Sequence, residues 1–287
     1  MMEWSLHIRG PEDLRNPPAL PEELARHFGA ANFTRVAYGT EFCENLLPSR
    51  ESLRAILGAS RAVTLLTPYV SDRGIAALRD LFAVLGQGEV VFNDWGVLRV
   101  LRTEFPHLTP IQGRLLNKSL RDPRVTSIYA ETAPSAPESS LRVLQRSNLD
   151  DASYVALLAR YNVRAVEMDN LPQGADTSFA ANGVQVAMYV PFGFISTARV
   201  CMAAALHYRG PEKFQPGAPC RHECQSHQLE YTYSNSPFSN RDQKFLLKGN
   251  TYFYRHTDAM LAALAADAAR GRIARLVYQP SLPMYFG

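Results

Sequence analysis

The chain alternates short apolar runs with longer amphipathic stretches, and that rhythm leaves few folds open to it. A brief apolar run bounded by turn residues predicts a strand buried on both faces. A following stretch with apolar residues three and four apart predicts a helix that covers it. Strands are expected over residues 4–8, 35–38, 62–67, 90–93, 110–112, 165–168, 184–189 and 275–278. Helices are expected over 21–28, 50–57, 72–85, 95–105, 152–161 and 258–269. Ser71-Asp72 and Asp150-Asp151 read as helix N-caps, whose side-chain oxygens satisfy free first-turn amides. Eight strands with helices between them, in 287 residues, predict a single (β/α)8 TIM-like barrel over residues 1–287.

Two segments break the rhythm. Residues 119–148 are rich in Pro and Ser and poorly periodic, which predicts a long irregular connection. Residues 193–256 carry β-prone stretches at 228–233 and 244–254 and read as an insertion before the last barrel strand.

Three of the four cysteines, Cys201, Cys220 and Cys224, fall in that insertion, and Cys43 lies far upstream. Cys43 follows the second expected strand and Cys201 the seventh. In a parallel barrel such positions share the C-terminal face, where loops distant in sequence meet. Cys220-Arg-His-Glu-Cys224 is crowded by Pro, Gly and charged residues, unlike a core strand, so packing as small hydrophobes explains these two poorly. Cys43 taken alone suits a buried core position equally well. The spacing leaves a zinc ion and an iron–sulfur cluster both open, with His207, His222 and His227 as nitrogen donors for a mixed zinc site.

Bulk composition sets outer limits. A net charge of +3 with scattered arginines does not make the clustered basic face of a nucleic-acid binder. No window approaches the roughly 18 apolar residues of a membrane helix, and Met1-Met2-Glu3-Trp4-Ser5 does not open a signal peptide. A cytoplasmic chain is expected, where four cysteines are a metal or redox feature before they are disulfides. Walker, dinucleotide-binding, zinc-protease and serine-hydrolase motifs are absent, as is the third cysteine of a radical SAM signature.

Polar residues at strand ends supply further candidates. Asn93 and Asp94 follow the fourth strand, Asn117 and Lys118 the fifth, and Glu167 ends the sixth. Glu167, Asn93 and Asp94 are the catalytic candidates, and Asn117, Lys118 and Arg199 the substrate-binding ones, with Arg114 as a further nearby cation. Asp94 also suits a helix cap, and Asp169 a turn.

Several segments together resemble the collagenase-like peptidase family, and within it the short single-domain UbiV branch. They are Tyr38-Gly39-Thr40-Glu41-Phe42-Cys43, Phe92-Asn93-Asp94-Trp95-Gly96, Gly113 to Asn117, Val166-Glu167-Met168, Ser196-Thr197-Ala198-Arg199-Val200-Cys201 and Cys220-x3-Cys224. The gap from Cys201 to Cys220 is longer than that branch leads one to expect. The resemblance implies a barrel carrying a [4Fe–4S] cluster on Cys43, Cys201, Cys220 and Cys224. It further implies oxygen-independent hydroxylation of a quinone precursor, prephenate as oxygen donor, and a UbiU-like partner protein. Its relatives that act on RNA bases make an RNA hydroxylase or accessory the second reading. A non-catalytic electron-relay partner is the third, and a peptidase using Cys43 with a histidine the fourth.

Overall fold

A computed structural model describes residues 2–60, 62–123, 138–215, 219–231 and 245–283. Eight strands close into a barrel: β1 (Glu3–Ile8), β2 (Phe33–Gly39), β3 (Val63–Leu66), β4 (Glu89–Phe92), β5 (Thr109–Gln112), β6 (Ala165–Asp169), β7 (Gln185–Val190) and β12 (Arg275–Tyr278). Their spatial order is β1-β12-β7-β6-β5-β4-β3-β2, and every neighbouring pair is parallel. Each of the eight expected strands falls on one of these. The intervening helices are α1 (Glu12–Arg15), α2 (Glu22–Phe28), α3 (Arg50–Ala59), α4 (Asp72–Leu85), α5 (Trp95–Glu104), α6 (Glu138–Gln145), α7 (Ala152–Arg160) and α8 (Asp258–Ala269). Residues 119–148 are not wholly irregular, because α6 occupies their C-terminal part; residues 124–137 lie outside the described residues.

Strand alternation divides the buried residues into two shells, since successive side chains point to opposite faces. Outward-facing Leu6, Ile8, Leu65, Val90, Phe92, Val166, Met168 and Leu276 pack with Leu53, Leu78, Phe82, Leu98, Leu158 and Leu261 of the helices. Inward-facing Ala37, Leu66, Val91, Ile111, Ala187, Tyr189 and Val277 fill the barrel. At the N-terminal end the interior closes on a ring of ions. Arg275 donates to Glu3 (2.7 Å) and to both oxygens of Glu89 (2.8 and 2.9 Å), while Arg35 donates to Glu3 (2.9 Å). Two cations against two carboxylates leave that plug neutral.

A second sheet, antiparallel and in the order β8-β11-β10-β9, is inserted between β7 and β12. It comprises β8 (Phe192–Thr197), β9 (Leu229–Tyr231), β10 (Phe245–Lys248) and β11 (Thr251–Arg255). The 244–254 stretch is thus two strands, turned at Gly249 and Asn250. The sheet lies across the C-terminal mouth of the barrel: Phe42, from the β2 loop, packs edge-on against Phe194 and Phe253 at 5.4 and 5.3 Å. Within the sheet Gly193 makes room for the ring of its cross-strand partner Tyr254, which a Cβ would approach to 2.4 Å. Among the described residues no helix is long and apolar enough to cross a membrane.

Candidate functional site: a four-thiol cavity at the barrel mouth

Cys43, Cys201, Cys220 and Cys224 all line one cavity of about 300 Å³. Three separate stretches of chain bring them there. Cys43 caps a one-turn 3-10 helix (Glu44–Leu46) that leaves β2. Cys201 lies just past β8, one strand later than its expected position directly after the seventh strand. Cys220 and Cys224 flank the left-handed residue His222, whose φ of 59° folds the pair back on itself. The chain holds these pieces in place by side chains. Glu44 accepts from both the backbone N–H and the hydroxyl of Ser71 (2.8 Å each), tying the Cys43 turn to the start of α4. The Asn250 amide donates to the carbonyls of Phe42 (2.8 Å) and Ala198 (2.6 Å), so one buried side chain joins the Cys43 segment to the Cys201 segment.

Hydrogen-bond donors are aimed at the sulfurs. The Ala204 N–H donates to Cys201 Sγ (3.4 Å), the His222 N–H to Cys220 Sγ (3.4 Å) and the Gln225 amide to Cys224 Sγ (3.3 Å). Cys43 has the Asn45 backbone N–H. Burial nevertheless pushes the Cys43 thiol up to about 12, and the other three sulfurs push the same way. Burial also raises Cys201 and Cys224. Thiolates crowded into such a space need positive charge among them, which is what a metal centre supplies. A single tetrahedral ion draws its four sulfurs to about 2.3 Å from itself. Among the described residues no group of three or more His, Cys, Asp or Glu is drawn in to hold one metal ion. Four thiols around one cavity are a donor set open to either a zinc ion or an iron–sulfur cluster. None of His207, His222 and His227 lines the cavity. His207 Nε2 instead meets a carboxylate oxygen of Glu223 at 2.8 Å, and His227 Nδ1 lies near Ser226 Oγ.

Below the cavity, inside the barrel mouth, is a network of buried charges. Arg114, fully buried, donates through Nε and Nη2 to both oxygens of Glu41 (2.9 and 2.7 Å) and through Nη1 to Asp169 (2.8 Å). Its guanidinium lies 3.7 Å from the centre of the Tyr189 ring. Arg121 pairs with the other oxygen of Asp169 and stacks on Phe194 at 4.0 Å. Arginines hold Asp169 below its ordinary value despite burial. Burial raises Glu41 against the pull of Arg114, and raises Glu167 much further, with Glu41 adding to the effect. Glu167 is thereby pushed toward its protonated form, and it accepts the Tyr189 hydroxyl at 2.8 Å. Arg114 and Arg121 thus face Glu41 and Asp169 across a mouth sealed from solvent.

The other polar candidates are spread out. Asn93 is buried as a strut: its amide donates to the Thr67 carbonyl (2.9 Å) and its oxygen accepts the Leu115 N–H (3.0 Å). Asp94 caps α5 by accepting the Gly96 N–H at 2.7 Å. Asn117 is buried next to the Arg121 contact, and Lys118 Nζ donates to its own turn at Leu115 (3.1 Å). Arg199 does border the thiol cavity, stacked over Tyr69 at 5.8 Å with one bond to the Val70 carbonyl. Glu41, Arg121 and Asn250 are not among the candidates the sequence offers, and Asp169, which there suits a turn as well as the mouth, lies in this network. The i, i+2 spacing of Glu167 and Asp169, two carboxylates on one inward strand face, was a signal for a buried charge network.

Strand order and the sheet across its mouth define this chain as a (β/α)8-barrel protein with a four-thiol cavity at its C-terminal face. No protein-family model and no curated protein matches it. Among solved structures it is similar to a glycoside hydrolase family 18 N-acetylglucosaminidase from Paenibacillus barengoltzii, at 9% identity over 98% of this chain and 95% of that one, with a TM-score of 0.35. A family 18 chitinase from Cycas revoluta, in complex with (GlcNAc)3, is 10% identical over 97% and 94%, with a TM-score of 0.37. Likeness at that level says nothing of activity.

Proposed function

We propose that this chain carries a [4Fe–4S] cluster on Cys43, Cys201, Cys220 and Cys224 and serves an oxygen-independent hydroxylation system, as the UbiV-like member of the collagenase-like peptidase family. The observation that carries this reading is the meeting of four thiols, from three separate stretches of chain, in one cavity with N–H donors aimed at their sulfurs. The cluster would supply one-electron transfer. The chain's own residues hold the sulfurs, aim hydrogen bonds at them, and shield them with Phe42, Leu46 and Tyr69. Arg199 at the rim offers a cation to an acidic substrate such as prephenate, with a quinone precursor as the acceptor of oxygen and a UbiU-like protein as partner.

Between a catalytic subunit and an electron-relay partner, the sealed barrel mouth favours the relay. Glu167, Asp169, Glu41 and Arg114 are each at most 2% exposed, so a substrate has no path to them. The peptidase alternative is disfavoured, because a Cys43 thiol held near 12 is the reverse of an activated nucleophile. An RNA-directed role lacks support around the cavity, where, among the described residues, Arg199 is the one lining arginine or lysine.

Anaerobic purification tests this. The protein should be brown, contain about four irons and four sulfides per chain, and lose most of both when any one of the four cysteines is changed to alanine. A colourless anaerobic preparation containing one zinc per chain would refute the cluster.

A further inference from the structure

The four sulfurs differ in what faces them. Cys43 has a backbone N–H and an apolar wall of Phe42, Leu46 and Tyr69. Cys201 and Cys220 each accept from backbone N–H groups. Cys224 is the one that, among the described residues, accepts from a side-chain donor, the Gln225 amide at 3.3 Å. Lys248 ends β10 directly before the cavity-lining Gly249, and its charge opposes the burial that raises Cys224.

We propose that Cys224 is the corner of the cluster at which added negative charge is held, and that Gln225, together with Lys248, sets the reduction potential. This rests on the cluster reading above. Reduction of a cluster held here would add one electron, supplied by an external one-electron donor, and would form or break no bond. The extra charge resides in part on the sulfurs. An N–H aimed at a sulfur and a cation nearby stabilise the reduced cluster more than the oxidised one, so both raise the potential. Gln225 is a positioning residue in this scheme: it binds no iron and acts through Cys224. It is also exposed at the protein surface, so its side chain can be changed without opening the core.

The test is a dithionite titration of the anaerobic protein, followed by electron paramagnetic resonance, on the unaltered chain, Gln225→Leu and Lys248→Met. In Gln225→Leu the reduced-to-oxidised ratio at a fixed potential should fall about tenfold, which for a one-electron couple is a midpoint about 59 mV more negative. Lys248→Met should shift it in the same direction. Iron content, measured on each sample, should match that of the unaltered chain. Should Gln225→Leu lose iron, Lys248→Met carries the same test alone. Full iron with an unmoved midpoint in the iron-replete variants overturns the proposal while leaving the cluster intact. Absence of iron from the unaltered chain overturns the cluster reading itself.

Discussion

Replacing Arg114 by Met isolates the energetics of the sealed mouth. The guanidinium makes three short bonds to two carboxylates. Asp169 keeps Arg121 after the change, whereas Glu41 is left with no cation in contact. An isolated buried carboxylate escapes by taking a proton, and the cost of that proton limits the damage. With an ordinary pKa of 4.5 in the unfolded chain, holding the proton in the folded state costs about 1.4 kcal/mol for each pH unit above that value. The electrostatic loss is therefore at most about 3.4 kcal/mol at pH 7 and about 0.7 kcal/mol at pH 5, less whatever proton cost burial already imposes on Glu41 in the unaltered chain. The sign follows from linkage: the folded variant binds a proton that the unfolded chain has released, so stability falls as pH rises above 4.5. Lost stacking on Tyr189 and looser packing add a further, pH-independent cost of about 1–3 kcal/mol. Urea unfolding of Arg114→Met against the unaltered chain, at pH 5 and pH 7, reads both parts. Glu41→Gln combined with Arg114→Met should abolish the pH-dependent part. A loss that is the same at both pH values, or below about 1 kcal/mol at pH 7, would show that water reaches these groups and that the mouth is open.

Glu167→Gln keeps an acceptor for the Tyr189 hydroxyl and removes the raised carboxyl. Thermal melts should show the variant gaining on the unaltered chain as pH rises from 5 to 8, by up to about 1.4 kcal/mol per unit; a constant difference refutes the protonated Glu167. Asn250→Leu strands the buried Phe42 carbonyl at about 1–3 kcal/mol and releases that of the exposed Ala198, which water can satisfy. It should lower both the melting temperature and the bound iron, and an unchanged iron content would show that the two cysteine segments hold their positions unaided. Asp94→Ala should cost about 1 kcal/mol in urea unfolding, as an N-cap does, while leaving iron content alone; a loss of iron would give Asp94 a part in the site.

The barrel was legible because its strands obey local rules. Val63–Leu66 and Glu89–Phe92 are short apolar runs that end at turn-forming or capping residues; the helix between them is cleanly capped at Ser71, as the one before β6 is at Asp151. Helix α6 was missed because Ser139, Ser140, Arg142 and Gln145 dilute its apolar spacing to Leu141 and Leu144. The cysteines could be brought together on paper since a parallel barrel puts every strand's C-terminal loop on one face. What the sequence concealed was depth. Glu167 reads as a mouth residue until the second sheet is laid over it, and nothing in Gly249-Asn250 separates an ordinary hairpin turn from the amide that joins two distant segments.

One sulfur comes from the loop after β2, and its three companions come from the stretch between β7 and β12. During synthesis the first is made more than 150 residues before the next. No centre that needs all four can be completed until the small sheet has docked on a nearly finished barrel. A metal centre held by all four would therefore be completed only late in the folding of the chain. Iron gripped by both parties would rivet the sheet to the cylinder, and its departure would free the lid before it loosened the walls.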